Sequence, residues 1–178
     1  MRPFFPIAIM LIVPVSLPAQ PPSKPPTEMA KLNFLVGEWH GKGTVHMGPN
    51  QKVDVDVVEK ATKKVGAGHV IIVEGLGTAK DASGKAYIGH EALGVISFDS
   101  ATKKYSMRAF RRDGGKVDAD ITVGDKSFEW GFKDPQRKVE VRFKTVINEK
   151  GQWHETGEVS LDGKTWNKFM EMTLSKVN

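Results

Sequence analysis

The sequence predicts an all-β protein: an up-and-down antiparallel barrel of about ten strands, with a short helix near the N-terminus as a lid. Three observations predict it. Apolar and polar residues alternate over segment after segment, the period-two pattern of half-buried strands. Turn clusters such as Asp81-Ala82-Ser83-Gly84, Asp113-Gly114-Gly115 and Asp162-Gly163 recur between those segments. No helical period stands between the strands, which argues against parallel βαβ units. An open meander of this length would leave two bare edges, and pairing the first strand with the last removes them. A barrel of more than eight strands no longer fills itself with side chains and tends to hold a cavity.

Pro26-Thr27-Glu28-Met29 opens the lid helix. Thr27 can accept from the free N–H groups of the first turn, and Glu28 suits the positive end of the helix dipole. Met29, Leu32, Phe34, Leu35 and Val36 supply an apolar side, and Gly37 is expected to end the helix. From Trp39 the period becomes two. Trp39, Gly41, Gly43, Val45 and Met47 share one face; His40, Lys42, Thr44 and His46 share the other. Inward glycines let a second backbone come close. Trp39 is expected to plug the closed end, its indole N–H seeking one acceptor.

Gly48-Pro49-Asn50 turns the chain into Val53-Asp54-Val55-Asp56-Val57, a strictly alternating strand. A turn over residues 63–68 precedes a strand at 69–76 that is apolar on both sides, so the face taken by His69 is open. The strand at 87–98 puts Ile88, His90, Ala92, Gly94, Ile96 and Phe98 on one parity. The next, at 105–112, groups Tyr105, Met107, Ala109 and Arg111. Val117, Ala119, Ile121 and Val123 follow, then Phe128, Trp130 and Phe132. Residues 139–147 alternate most clearly, with Val139, Val141, Phe143, Thr145 and Ile147 inward. Strands at 153–161 and 166–174 close the chain.

The first 19 residues carry Arg2, an apolar run over 4–13 and the small residue Ala19, the features of a secretory signal peptide. The run is too short for a membrane-spanning helix. Residues 20–27 form a Pro-rich tether, and 28–178 a single barrel domain. Export to the periplasm or the extracellular space is therefore expected. The net charge is +5, and loss of Arg2 with the leader would leave +4. That is mildly basic and gives no case for nucleic acid. The absence of cysteine removes disulfides, thiolate nucleophiles and Cys-ligated metals.

Four segments together resemble one family: 32–39 (Leu-Asn-Phe-Leu-Val-Gly-Glu-Trp), 89–94 (Gly-His-Glu-Ala-Leu-Gly), 98–105 (Phe-Asp-Ser-Ala-Thr-Lys-Lys-Tyr) and 166–174 (Trp-Asn-Lys-Phe-Met-Glu-Met-Thr-Leu). They resemble DUF1579, a bacterial domain family of unknown function related to nitrobindin-like and fatty-acid-binding-protein-like barrels. Gly37-Glu38-Trp39 is similar to the Gly-x-Trp of the first strand of calycin barrels. The resemblance implies a ten-stranded barrel with an internal pocket and implies no reaction. Nitrobindins hold haem through a histidine near the C-terminus. This chain has no histidine after His154, so no haem, and no other cofactor, is expected.

The expected pocket is lined by Trp39, His90, Met107, Arg111, Trp130, Phe143 and Met170, all on inward parities. Arg111 could hold an anionic head group through two parallel hydrogen bonds. His90 reads as a core histidine or a ligand donor. His40, His46 and His154 fall on outward parities, and no pair of histidines has metal-site spacing. Glu74, Glu91, Glu155, Glu158 and Glu171 form no fixed carboxylate pair in the sequence, and no catalytic motif is present. The leading expectation is a small hydrophobic or amphiphilic ligand. An enzyme using the same pocket, a haem protein and a solid-core accessory protein remain as alternatives.

Overall fold

A computed structural model describes residues 24–48 and 50–177. The expected leader, the first half of the tether and the central residue of the Gly48-Pro49-Asn50 turn lie outside the described residues. Helix α1 spans Thr27–Ala30 and a 3-10 turn spans Asn33–Leu35. Ten strands follow: β1 Gly37–Gly48, β2 Gln51–Lys64, β3 Val70–Lys80, β4 Ala86–Asp99, β5 Lys104–Arg111, β6 Lys116–Gly124, β7 Ser127–Asp134, β8 Val139–Ile147, β9 Trp153–Ser160 and β10 Asn167–Lys176. Each pairs antiparallel with the next, and β1 pairs with β10, so the sheet closes into a barrel.

Closure depends on the small residues of β1. Gly41 lies opposite Leu174, and a Cβ on Gly41 would sit 2.1 Å from the Thr173 carbonyl oxygen. No larger residue fits between these strands without moving one of them.

The lid is shorter than the sequence suggests. α1 is four residues long, and the Thr27 hydroxyl donates to the Glu28 carboxylate without capping the helix. Gly37 does not end the helix; at φ +140° it begins β1. Its neighbours are nevertheless the plug of the barrel. Met29, Leu32 and Leu35 are buried at one end against Trp39, Ile71, Ile96, Trp153 and Leu174. The Tyr105 hydroxyl donates to the Glu28 carbonyl at 2.8 Å and ties α1 to β5.

Parity holds along most strands. β3, undecided from the sequence, turns Ile71, Gly75, Gly77 and Ala79 to the buried face. β4 departs from its expected pattern. A bulge sets Gly77 opposite His90 but Thr78 opposite Ile88, so parity reverses across Gly89. Ile88 leaves the inward set and Tyr87, opposite Ala79, joins it.

The outer wall is polar. Cross-strand ion pairs cover it, among them Lys42–Asp56, Lys144–Glu129 and Arg142–Glu158. A barrel that crosses a membrane by its strands needs an apolar outer band, and these charges are its opposite. Among the described residues, no helix is long and apolar enough to cross one.

Candidate ligand site in the barrel interior

The interior has two unlike ends. At the helix end the inward side chains are sealed: Leu35, Ile71, Ile96 and Leu174 have no exposed surface and Trp39 and Trp153 have 2% each. The Trp39 indole N–H donates to the Leu35 carbonyl at 2.8 Å, and its ring meets Trp153 edge-on at 5.8 Å. Toward the opposite end, the inward residues Val55, Ala92, Ala109, Val117, Val141 and Met170 are only half-buried. Residues that face inward in a closed barrel keep solvent contact only where the lumen is open. The lumen therefore opens at the end away from α1.

One wall of the open part is aromatic. Trp130 stacks on Phe143 at 4.3 Å and lies nearly parallel to Phe132 at 6.1 Å. Phe169 closes edge-on against Phe143 at 5.7 Å. Phe169 arrives there through a register shift between Lys168 and Met170. Gly157 makes room, since a Cβ there would lie 2.9 Å from both phenyl rings.

The charged groups of the middle layer are carboxylates. Glu59 on β2 and Glu155 on β9 are each 8% exposed. β1 and β10 run between these two strands, with Trp39 in register with Glu59 and Met172 in register with Glu155. Glu155 Oε2 accepts from the Thr145 hydroxyl at 2.5 Å and from the Trp153 indole N–H at 3.2 Å. Its Oε1 has no hydrogen bond among the described residues. Glu59 has none on either oxygen. Its carboxylate lies over Gly75, where a Cβ would come within 2.7 and 2.9 Å of the two oxygens. Burial pushes the Glu59 pKa well above the usual carboxylate value, and the charge of Glu155 pushes it further in the same direction. Burial raises Glu155 too, against the opposing pull of its two hydrogen bonds. No ion pair among the described residues includes either group.

The expected site residues are divided between these regions. Trp130, Phe143 and Met170 stand together around the open lumen, and Met107 is buried below them. Trp39 belongs to the sealed end. His90 faces inward opposite Gly77, near the open rim, and crowding by neighbouring atoms lowers its pKa even though the residue keeps solvent contact. Arg111 lies opposite Ala92, but its guanidinium is held by Asp113 through contacts of 2.8 and 3.2 Å. Two grooves on the barrel, of about 640 and 410 Å³, are lined mostly by outward residues such as Lys60, Glu91, Arg142 and Lys144. Neither reaches the sheltered carboxylates. Among the described residues, no group of three ligating side chains could hold a metal ion.

The sequence reading left Glu59, Gly75 and Phe169 out of the site and placed Glu155 among five glutamates that form no fixed pair. The parity of Glu59 was there to see, since Val53, Val55, Val57 and Ala61 continue through it. Glu155 likewise shares the parity of Trp153.

The family described as "Protein of unknown function (DUF1579)" matches residues 24–176. The chain belongs to the DUF1579 family. Among curated proteins, no sequence match was found. The DUF1579 barrel is similar in structure to the S-type phycobiliprotein lyase CPES of Guillardia theta. The TM-score is 0.59 at 10% identity, with 85% of this chain and 93% of the other covered. At that identity the likeness extends to the fold.

Proposed function

We propose that this DUF1579 barrel binds a small, mainly apolar molecule in its lumen and does so outside the cytoplasm. The observation that carries the reading is the contrast between the two ends. The helix end is packed to zero exposure, while the aromatic wall of Trp130, Phe132, Phe143 and Phe169 keeps solvent contact inside a closed sheet. Pockets with apolar and aromatic walls and a few sheltered polar groups suit small molecules. The similar barrel named as a phycobiliprotein lyase supports a small-molecule role for this architecture. Export rests on the leader-like residues 1–19.

Native mass spectrometry of protein purified from its own host tests the binding. A retained small molecule is expected, together with quenching of tryptophan fluorescence by an added apolar dye. A bare polypeptide mass and no quenching would reject the reading. N-terminal sequencing of the same sample is expected to begin near Gln20, and an intact Met1 would reject export.

A further inference from the structure

The polar end of the ligand is open to inference from the two inward carboxylates. Sequence parity points to Arg111 and hence to an acid, but Arg111 is engaged by Asp113 at the rim. Deeper in the lumen the charged groups are Glu59 and Glu155, and three of their four oxygens lack a hydrogen bond among the described residues. A carboxylate more than nine-tenths buried is normally paired or hydrogen-bonded, because an unmatched buried charge is costly. Glu59 has neither partner. Its carboxyl lies over Gly75, on the buried face of β3. Across the sheet β1 sets Trp39 beside Glu59 and β10 sets Met172 beside Glu155, and the two carboxyl groups are close enough for the charge of Glu155 to act on Glu59. Phe143, stacked on Trp130, lies opposite Gly157, two residues along β9 from Glu155, and ring faces attract cations as well as flat apolar groups.

We propose that the lumen is a site for an organic amine: a planar, apolar body held by the aromatic wall, with a protonated nitrogen donating to Glu59 and to the open oxygen of Glu155. The inference rests on lumen binding and adds the chemical class. The amine supplies the donors and the positive charge that the two carboxylates lack. A carboxylate entering the same chamber would raise the cost of ionising either acid and would find only their own protons as donors there, so it is the least suited of the polar ends.

Three matched probes test it: 9-anthracenylmethylamine, 9-anthracenemethanol and 9-anthracenecarboxylic acid, each titrated into the full chain by tryptophan fluorescence. The amine is expected to bind about tenfold or more tighter than the alcohol, the gain of one sheltered charge-assisted hydrogen bond. The acid is expected to bind weakest. Glu59→Gln should bring the amine to within about threefold of the alcohol, both measured on that variant. Gly75→Ala keeps both charges but pushes the Glu59 carboxylate off its seat, and should also shrink the preference. An alcohol that binds as well as the amine overturns the amine assignment and leaves lumen binding standing. So does an amine preference that survives both substitutions. Failure of all three probes to bind overturns both.

Discussion

Glu59 makes the stability of the protein depend on pH. Its carboxyl is ordinary in the unfolded chain, near pH 4.3. In the folded protein burial and Glu155 hold its pKa well above that value. Between the two values the folded state keeps a proton that the unfolded state has lost. Stability therefore falls as pH rises through that window, and the difference vanishes below the unfolded pKa. Glu59→Gln cannot ionise, so it should raise the melting temperature at pH 8 by a few degrees, on the order of 1–3 kcal/mol. The gain should fade toward pH 4. Thermal denaturation at both pH values checks this, and an equal gain at both would show that the carboxyl is not sheltered. Glu155 is raised in the same direction and will leave the variant a residual slope. At this scale the sequence was half legible. Alternation along β2 and β9 assigns both glutamates to the interior. It does not show that Asp113, two residues away, takes the guanidinium of Arg111, because that contact depends on the turn.

Among the elements, the β2–β3 connection stores strain. Val65, Gly66 and Ala67 have φ of 54°, 54° and 64° in succession, a left-handed turn. A β-branched residue there crowds its own carbonyl. Val65 is also 67% exposed, so it loses little burial if replaced. Val65→Gly should stabilise the protein by about 1 kcal/mol, the relief of a left-handed side chain less the added freedom of the unfolded chain. Urea unfolding measures it, and a destabilised variant would place Val65 in an ordinary backbone region. The strands themselves were readable: β8, expected at 139–147, is found at Val139–Ile147. The misses came where local pattern gives way to geometry. The β4 bulge reversed Ile88 and Tyr87, and an apolar stretch read as a helix became one short turn and a 3-10 turn under the barrel.

For the whole molecule, the sealed and open ends imply that equal truncations have unequal costs. Trp39→Ala removes a ring that is 2% exposed, hydrogen-bonded to Leu35 and packed on Trp153, and should cost about 3–5 kcal/mol. Phe132→Ala removes a half-buried ring near the open rim and should cost about 1 kcal/mol. Chemical denaturation of the two variants gives the comparison. Similar losses at both positions would mean that the barrel is filled from end to end. The closed ten-stranded sheet was predictable from the count of alternating segments and the need to cover edges. The asymmetry along its axis was not, because it depends on which inward residues the helical segment covers.

Joining β1 to β10 also fixes an order of events. Strands leave the ribosome in sequence, and β2 to β9 each find a neighbour made just before them. One edge of β1 must wait until Asn167–Lys176 has been made, when Gly41 can settle against Leu174. Until then the newborn chain carries two open edges able to pair with another chain. A chain ending before Asn167 would keep that condition permanently, with one edge of β1 and one of β9 open, and would be expected to join others of its kind edge to edge.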